Sequence, residues 1–230
     1  MTESGKSYLE TVYDPARTPV TAYPRRLAAH LCQRFSLSPG TSLLDVGAGR
    51  GDMLNGFVDA GLNAKGIDRE ASAGQPPIVA CEIGAQPFPF DDNYFDIVFS
   101  KSVLEHFNDP MPLISESLRV LKPGGRLIIL TPDWKTQYKV FFEDITHERP
   151  YDVTAMQDLL TMSGLQGISS ETFMQYPAAW NNEFVRFLSV ISRSVFDADR
   201  ARRLTAISGV SFFRWASELM ILGTGTKPKS

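Results

Sequence analysis

Two cysteines in 230 residues, Cys32 and Cys81, leave no room for a disulfide framework. A small stapled fold is excluded, and thiols kept in a reducing compartment are expected, with Cys81 buried at the end of an apolar run. Excess positive charge is missing too: 23 Lys and Arg face 26 Asp and Glu, for a net charge of −3. That is no footprint for a polyanion, so no nucleic acid is expected as a partner. No apolar run approaches the roughly 18 residues that would span a bilayer. The polar start MTESGKSYLE lacks the apolar core of a secretory signal. The expectation is a cytoplasmic chain without a transmembrane segment, repeats or low-complexity tracts. Histidine is scarce as well, with three in the chain: His30, His106 and His147.

What is present reads as one domain. A hydrophobic content of 43% and a charged content of 21% are those of an ordinary globular protein. Residues 1–40 read as an arm followed by a helix from Pro24, with Leu27, Leu31 and Phe35 on one face. Residues 41–131 then alternate strands with helices. Strands are expected at Ser42–Val46, Ala64–Asp68, Pro77–Cys81, Phe95–Ser100 and Leu127–Thr131. The helix after the first strand turns Leu54, Phe57 and Val58 inward. The helix opened by Asp109-Pro110 buries Leu113, Ile114, Ser117, Leu118 and Leu121 and stops at Gly124. A further helix near Val153–Ser163 precedes two β-rich stretches, 167–176 and 217–224. Such alternation predicts an α/β fold of doubly wound, Rossmann-like type: a mostly parallel sheet, a C-terminal antiparallel strand and a helical insert. One connection is too short. About eight residues separate Asp68 from the third strand, against the dozen or more of an ordinary crossover. A loose loop with Ser72, Gly74 and Pro76 is expected in place of a helix.

The strongest local signal is Leu43-Leu44-Asp45-Val46-Gly47-Ala48-Gly49-Arg50-Gly51. An apolar strand runs into glycines that let the backbone turn and approach a ligand. Asp68 ends the second strand, where a carboxylate can accept both hydroxyls of a ribose. Such a loop is shared by several cofactor classes. Here the residue opening the helix is Asp52. Its carboxylate disfavours a diphosphate at the helix N-terminus. S-adenosylmethionine carries no phosphate but a sulfonium and an ammonium, and Asp45 adds negative charge beside them.

Together with Asp68, the glycine loop and three later segments resemble the class I S-adenosylmethionine-dependent methyltransferases. Those segments are Phe88-Pro89-Phe90-Asp91-Asp92-Asn93-Tyr94-Phe95-Asp96-Ile97-Val98, Val103-Leu104-Glu105-His106 and Leu118-Arg119-Val120-Leu121-Lys122-Pro123-Gly124-Gly125. They are most similar to the methyltransferase type 11 branch, which includes ubiquinone and menaquinone biosynthesis enzymes. The resemblance spans about residues 41–131. It implies that Gly47, Ala48, Gly49 and Gly51 line the methionine part of the cofactor. Asp68 would hold the ribose, Arg69 would stack beside the adenine and Glu82 would neighbour its amine. The main chain of Ser100 and Lys101 would meet the methionine ammonium. Phe88, Phe90, Tyr94 and Phe95 read as core, and Lys122–Gly125 as a structural turn.

Methyl transfer needs positioning of the acceptor and, for a hydroxyl acceptor, a base. His106, after the fourth strand, and His147, in the loop after the fifth, are the candidates, and His30 reads as uninvolved. Relatives of the ubiquinone type place an acid three residues before the Glu-His pair and bind a divalent metal with the set. Ser102 stands at that position here, so no metal is expected. The expected function is methylation of a small-molecule acceptor: an oxygen of a sugar, a glycolipid intermediate or a secondary metabolite. Methylation at carbon or nitrogen, or a non-catalytic cofactor-binding subunit, are the alternatives. The acceptor site is expected under segments 132–152 and 177–216. In the latter, Phe184, Phe187, Leu188, Ile191 and Val195 recur at helical spacing after Trp180, a stripe that serves internal packing, a homodimer contact, a membrane surface or the cap itself. Arg186, Arg193, Arg200, Arg202 and Arg203 are placed to meet an anionic group of the acceptor.

Overall fold

The computed structural model describes residues 19–71 and 76–229. Seven strands form a mostly parallel sheet flanked by helices, as the alternating sequence pattern requires. The chain divides into two compact units, one ending at Phe90 and the other beginning at Asp91.

The first unit holds α1 (Tyr23–Arg34), β1 (Ser42–Val46), α2 (Asp52–Asp59), β2 (Asn63–Asp68) and β3 (Ile78–Ala80). Strand β2 lies between β3 and β1 and is parallel to both. Glycine sets the closeness of its layers. A Cβ on Gly66 of β2 would lie 2.8 Å from Leu54 Cδ2, and one on Gly56 of α2 would lie 2.9 Å from Ala28 Cβ. Helix α2 therefore meets the sheet through Leu54 and α1 through Gly56. That second contact turns its buried face toward Phe57 and leaves Val58 exposed, where the periodicity placed Val58 inside. Helix α1 buries Leu27 and Leu31, while Phe35 falls at its C-cap and is half-buried. No helix is described between β2 and β3, in keeping with the short connection. Ser72 and Gly74 lie outside the described residues. Cys32 and Cys81 are both buried free thiols.

The second unit holds β4 (Phe95–Lys101), α3 (Met111–Val120), β5 (Leu121–Pro132), α4 (Trp134–Gln137), α5 (Val153–Met162), β6 (Gln166–Phe173), α6 (Glu183–Val195), α7 (Ala198–Ser208), α8 (Phe212–Ser217) and β7 (Met220–Thr226). Strands β4 and β5 are parallel, and β7 runs antiparallel to both β5 and β6. Helix α3 starts one residue later than the Asp-Pro signal suggested. Asp109 Oδ1 accepts from Met111 N at 3.0 Å. The helix ends at Val120, before Gly124, because Leu121 already pairs with Phe95. The next pair is Ile97 with Arg126, so Lys122–Gly125 bulge out of the strand. Gly124 adopts φ +78°, and a Cβ on Gly125 would lie 2.9 Å from the Asp96 carbonyl. Leu121 is thus buried as a strand residue, and Leu118 of the expected inner face is only half-buried. Two glycines of β7 admit the helical layer. A Cβ on Gly223 would lie 2.6 Å from Met156 of α5, and one on Gly225 would lie 2.9 Å from Leu165.

Candidate functional site

The glycine loop follows β1, whose Leu43, Leu44 and Val46 are fully buried and make a rigid stem. Gly47, Gly49 and Gly51 all have left-handed φ, of +76°, +55° and +86°. Side chains rarely adopt that region, so the loop's path depends on glycine. The N–H groups of Gly47 and Ala48 both donate to the Ile67 carbonyl, at 2.9 and 3.0 Å. The Gly49 N–H donates to Asp68 Oδ2 at 2.8 Å. Strand β2 thereby fixes the loop through its last two residues. Asp68 keeps acceptor capacity beyond that bond, since an ionised carboxylate offers about four lone-pair sites. Asp45 is buried beneath the loop. Arg69 and Glu82 are exposed, and Glu82 anchors a turn by accepting from Gln86 N at 2.9 Å. Asp52 differs from its sequence reading. Its Oδ2 pairs with Arg50 Nε at 2.6 Å, so its charge is partly neutralised and discriminates less against a diphosphate.

In the second unit Ser100 is buried and Lys101 half-buried at the carboxyl end of β4. Beyond them a short 3-10 turn, Leu104–His106, carries the Glu-His pair. The loop after β5 folds onto it. The Glu105 carbonyl accepts from Glu148 N at 2.9 Å and Arg149 N at 3.1 Å. Glu148 Oε2 in turn accepts from Asn108 N at 2.9 Å. This lacing brings His147 to His106 across forty residues of sequence, with ring centroids 4.9 Å apart. Each ring is pinned by its Nδ1. That of His147 lies 2.7 Å from the Phe141 carbonyl. That of His106 lies 3.1 Å from the Thr146 carbonyl and 2.9 Å from Thr146 Oγ1, whose own proton goes to Asp144 Oδ1. A carbonyl only accepts, so both Nδ1 atoms carry a proton, and the Nε2 of His147 lies 3.9 Å from Asp144 Oδ2. Beside them Glu105 is buried, with Oε2 accepting from Thr131 Oγ1 at 2.9 Å. Burial pushes the Glu105 carboxyl above its ordinary range, and the neighbouring imidazoles oppose the shift. Burial also pushes the Asp144 carboxyl upward, but the Thr146 hydrogen bonds outweigh it and hold the group below its ordinary value. The sequence singled out both histidines. It missed Glu105 as a buried carboxyl, and Thr131 and Thr146 as the residues that orient the group.

The insert between β6 and β7 is helical, as its spacing required, but its apolar stripe is exposed rather than packed inside the described chain. Phe184 is 68% exposed and Phe187 59%, with Leu188, Ile191 and Val195 also exposed, while Ser189 and Ser192 are the buried residues of α6. The five arginines have partners within the fold. Arg186, Arg200 and Arg203 pair with Glu183, Asp197 and Asp199. Arg202 bonds Glu218 and Glu143. Arg193, half-buried, donates to the Ala216 carbonyl at 3.3 Å.

Comparison with known proteins agrees with this geometry. Residues 44–129 match the family described as "Methyltransferase domain". Among curated relatives, a demethylmenaquinone methyltransferase of Renibacterium salmoninarum is 36% identical over 97 residues, 40% of this chain and 41% of that protein. The chain spans under half the length of the curated relatives it matches. Among solved structures, the methyltransferase in complex with the Haloferax volcanii Trm112 activator superposes with a TM-score of 0.68 and 17% identity, covering 98% of this chain and 100% of that one. Phosphoethanolamine N-methyltransferase 2 of Haemonchus contortus, in complex with S-adenosyl-L-methionine, gives 0.64 and 17% identity, covering 97% and 61%. At that identity the likeness establishes the fold.

Proposed function

We propose that the chain binds S-adenosylmethionine and methylates an oxygen of a small molecule: a sugar, a glycolipid intermediate or another secondary metabolite, a reading supported by the match of residues 44–129 to the methyltransferase domain family. The observation that carries the reading is the loop of left-handed glycines tied to Asp68 through the Gly49 N–H. Gly47, Ala48, Gly49 and Gly51 serve the methionine part, and Asp68 the ribose hydroxyls. Arg69 and Glu82 serve the adenine, and the main chain of Ser100 and Lys101 the ammonium. Asp45 lends its negative charge to the cationic end of the cofactor.

The sulfonium arrives already activated, so the chain contributes positioning and proton handling. A lone pair on the acceptor oxygen forms the bond to the methyl carbon while the carbon–sulfur bond breaks and its electrons pass to sulfur. The acceptor's proton goes to the Nε2 of His147 or His106, whose Nδ1 atoms are tied to carbonyls. Segments 132–152 and 177–216 form the acceptor side. An anionic acceptor group would meet Arg193, which donates to the Ala216 carbonyl.

The test is calorimetry with S-adenosylhomocysteine, followed by turnover of methyl-labelled cofactor in a metabolite extract with the labelled atom identified by NMR. Binding and an O-methyl product are expected. His147→Gln should lower turnover by roughly 10²–10⁴-fold while leaving cofactor affinity unchanged. Tight binding of a nicotinamide dinucleotide with no affinity for S-adenosylhomocysteine would overturn the reading.

A further inference from the structure

Glu218 is buried at the C-cap of α8, just before β7, and two arginines hold its carboxylate. Arg214 Nε donates to both of its oxygens at 3.1 Å, and Arg202 Nε, from α7, donates to Oε1. Two guanidinium groups outnumber one buried carboxylate, and the surplus charge is answered outside the pair. Arg202 Nη1 reaches out of the insert and donates to Glu143 Oε2. Glu143 closes the short 3-10 turn Phe141–Glu143 in the loop after β5. The carbonyl that opens this turn, that of Phe141, accepts from His147 Nδ1 at 2.7 Å. The Phe141 ring also lies against the His147 imidazole, with centroids 4.5 Å apart. We infer that Arg202 is a positioning residue for His147: through Glu143 it fixes the turn whose carbonyl orients the imidazole. The inference rests on the reading of His147 as a proton acceptor given above.

An exposed ion pair ordinarily contributes little, because two long side chains must be ordered to make it. Glu143 is 58% exposed, so its pair with Arg202 would be weak on its own. Here Glu218 has already ordered the arginine. The planar fork, held at Nε by a buried carboxylate, presents Nη1 in one direction. A lysine is a point charge on a flexible stem and cannot bridge two carboxylates in that fixed geometry. A second ion pair joins the same two segments. Lys139 Nζ meets Asp197 Oδ2 at 2.7 Å, and Asp197 Oδ1 caps α7 by accepting from Arg200 N at 2.9 Å. The turn is therefore tied to α7 on both sides of Phe141. Phe141 itself is buried, with its ring centroid 5.6 Å from that of Trp134. With the ties in place the Phe141 carbonyl keeps the His147 proton on Nδ1. Without them the turn can rotate and the imidazole loses its fixed acceptor. Arg202 acts on the site through the loop and not by contact with the acceptor.

Proton–nitrogen correlation NMR of the full-length protein labelled with ¹⁵N-histidine tests it, with His147 assigned by its absence from the His147→Gln spectrum. The wild type should show neutral His147 with its proton on Nδ1. Glu143→Gln and Arg202→Gln should both let the Nε2-protonated tautomer appear. Glu143→Gln changes an exposed side chain and leaves Glu218 with both arginines, so its melting temperature should stay at the wild-type value. Arg202→Lys should not restore the wild-type spectrum. Methyl turnover is the second readout. Arg202→Gln should lower kcat by up to about 10²-fold with S-adenosylhomocysteine affinity unchanged, and should cost nothing further when added to His147→Gln. A wild-type ring protonated on Nε2, a tautomer that neither variant moves, or equal losses from Arg202→Gln with and without His147 would each overturn the inference. A tautomer that shifts while His147→Gln turns over at the wild-type rate would keep the positioning role and sink the reading of His147 as the base.

Discussion

Asp68 does two things at once. Its Oδ2 holds the Gly49 N–H at 2.8 Å and its Oδ1 accepts from Glu70 N at 3.5 Å, which leaves lone pairs for a ligand. The two can be separated by substitution. Asp68→Ala should cost the charge-assisted contacts, on the order of 1.5–3 kcal/mol in S-adenosylhomocysteine affinity by calorimetry. Asp68→Asn keeps an acceptor for Gly49 and should lose less, with thermal stability close to wild type. Equal losses in the two variants would assign the effect to charge alone. This residue was legible in the sequence, because a βαβ unit fixes the distance between a glycine loop and the end of the next strand. His147 was legible only as a candidate. Its approach to His106 depends on the Glu148 and Arg149 amides that bond the Glu105 carbonyl. Such main-chain lacing has no periodicity to read. Asp52 shows the converse: its charge was visible, but its Arg50 partner two residues away was not.

At the scale of elements, periodicity told which stretches are helical and said less about which way they face. Helix α6 has its stripe of Phe184, Phe187, Leu188, Ile191 and Val195 turned outward. Its inner face carries Ser189, whose hydroxyl is satisfied within the helix by the Val185 carbonyl at 2.8 Å. A stripe at helical spacing is ordinarily a core face, and here the rule fails because small residues let the helix lie close to its neighbours. Phe187→Ser should change stability by no more than about 0.5 kcal/mol, measured by thermal melting at low protein concentration. Ser189→Leu should destabilise by about 1–3 kcal/mol through overpacking. The reverse order would mean that the stripe is covered in the folded chain. The helix α3 boundary failed for a different reason. Lys122–Gly125 read as a turn after a helix, and they form one, but as a bulge within β5 held by the pairing of Leu121 with Phe95.

The α/β architecture was legible because each layer writes its own period into the sequence, whereas the antiparallel ending came with the family resemblance, since helices precede β7 in the chain. What the pattern could not say is how late in the chain the sheet is completed. Strand β7 lies between β5 and β6 and pairs with both along its length, Arg126 facing Thr226 on one side and Phe173 facing Met220 on the other. During synthesis, the nascent chain therefore carries two unpaired strand edges until residues 220–226 have left the ribosome. Open edges recruit other chains, and pairings distant in sequence close slowly. A chain stopped after Ser217 should accumulate as aggregate rather than as a folded fragment, read as loss of the monomer peak in size-exclusion chromatography. Recovery of a soluble, cooperatively melting monomer from that shortened chain would show that β5 and β6 can close on each other without the last strand. The second unit is closed by its last strand, and its exposure to misassembly is set by the time between making β6 and making β7.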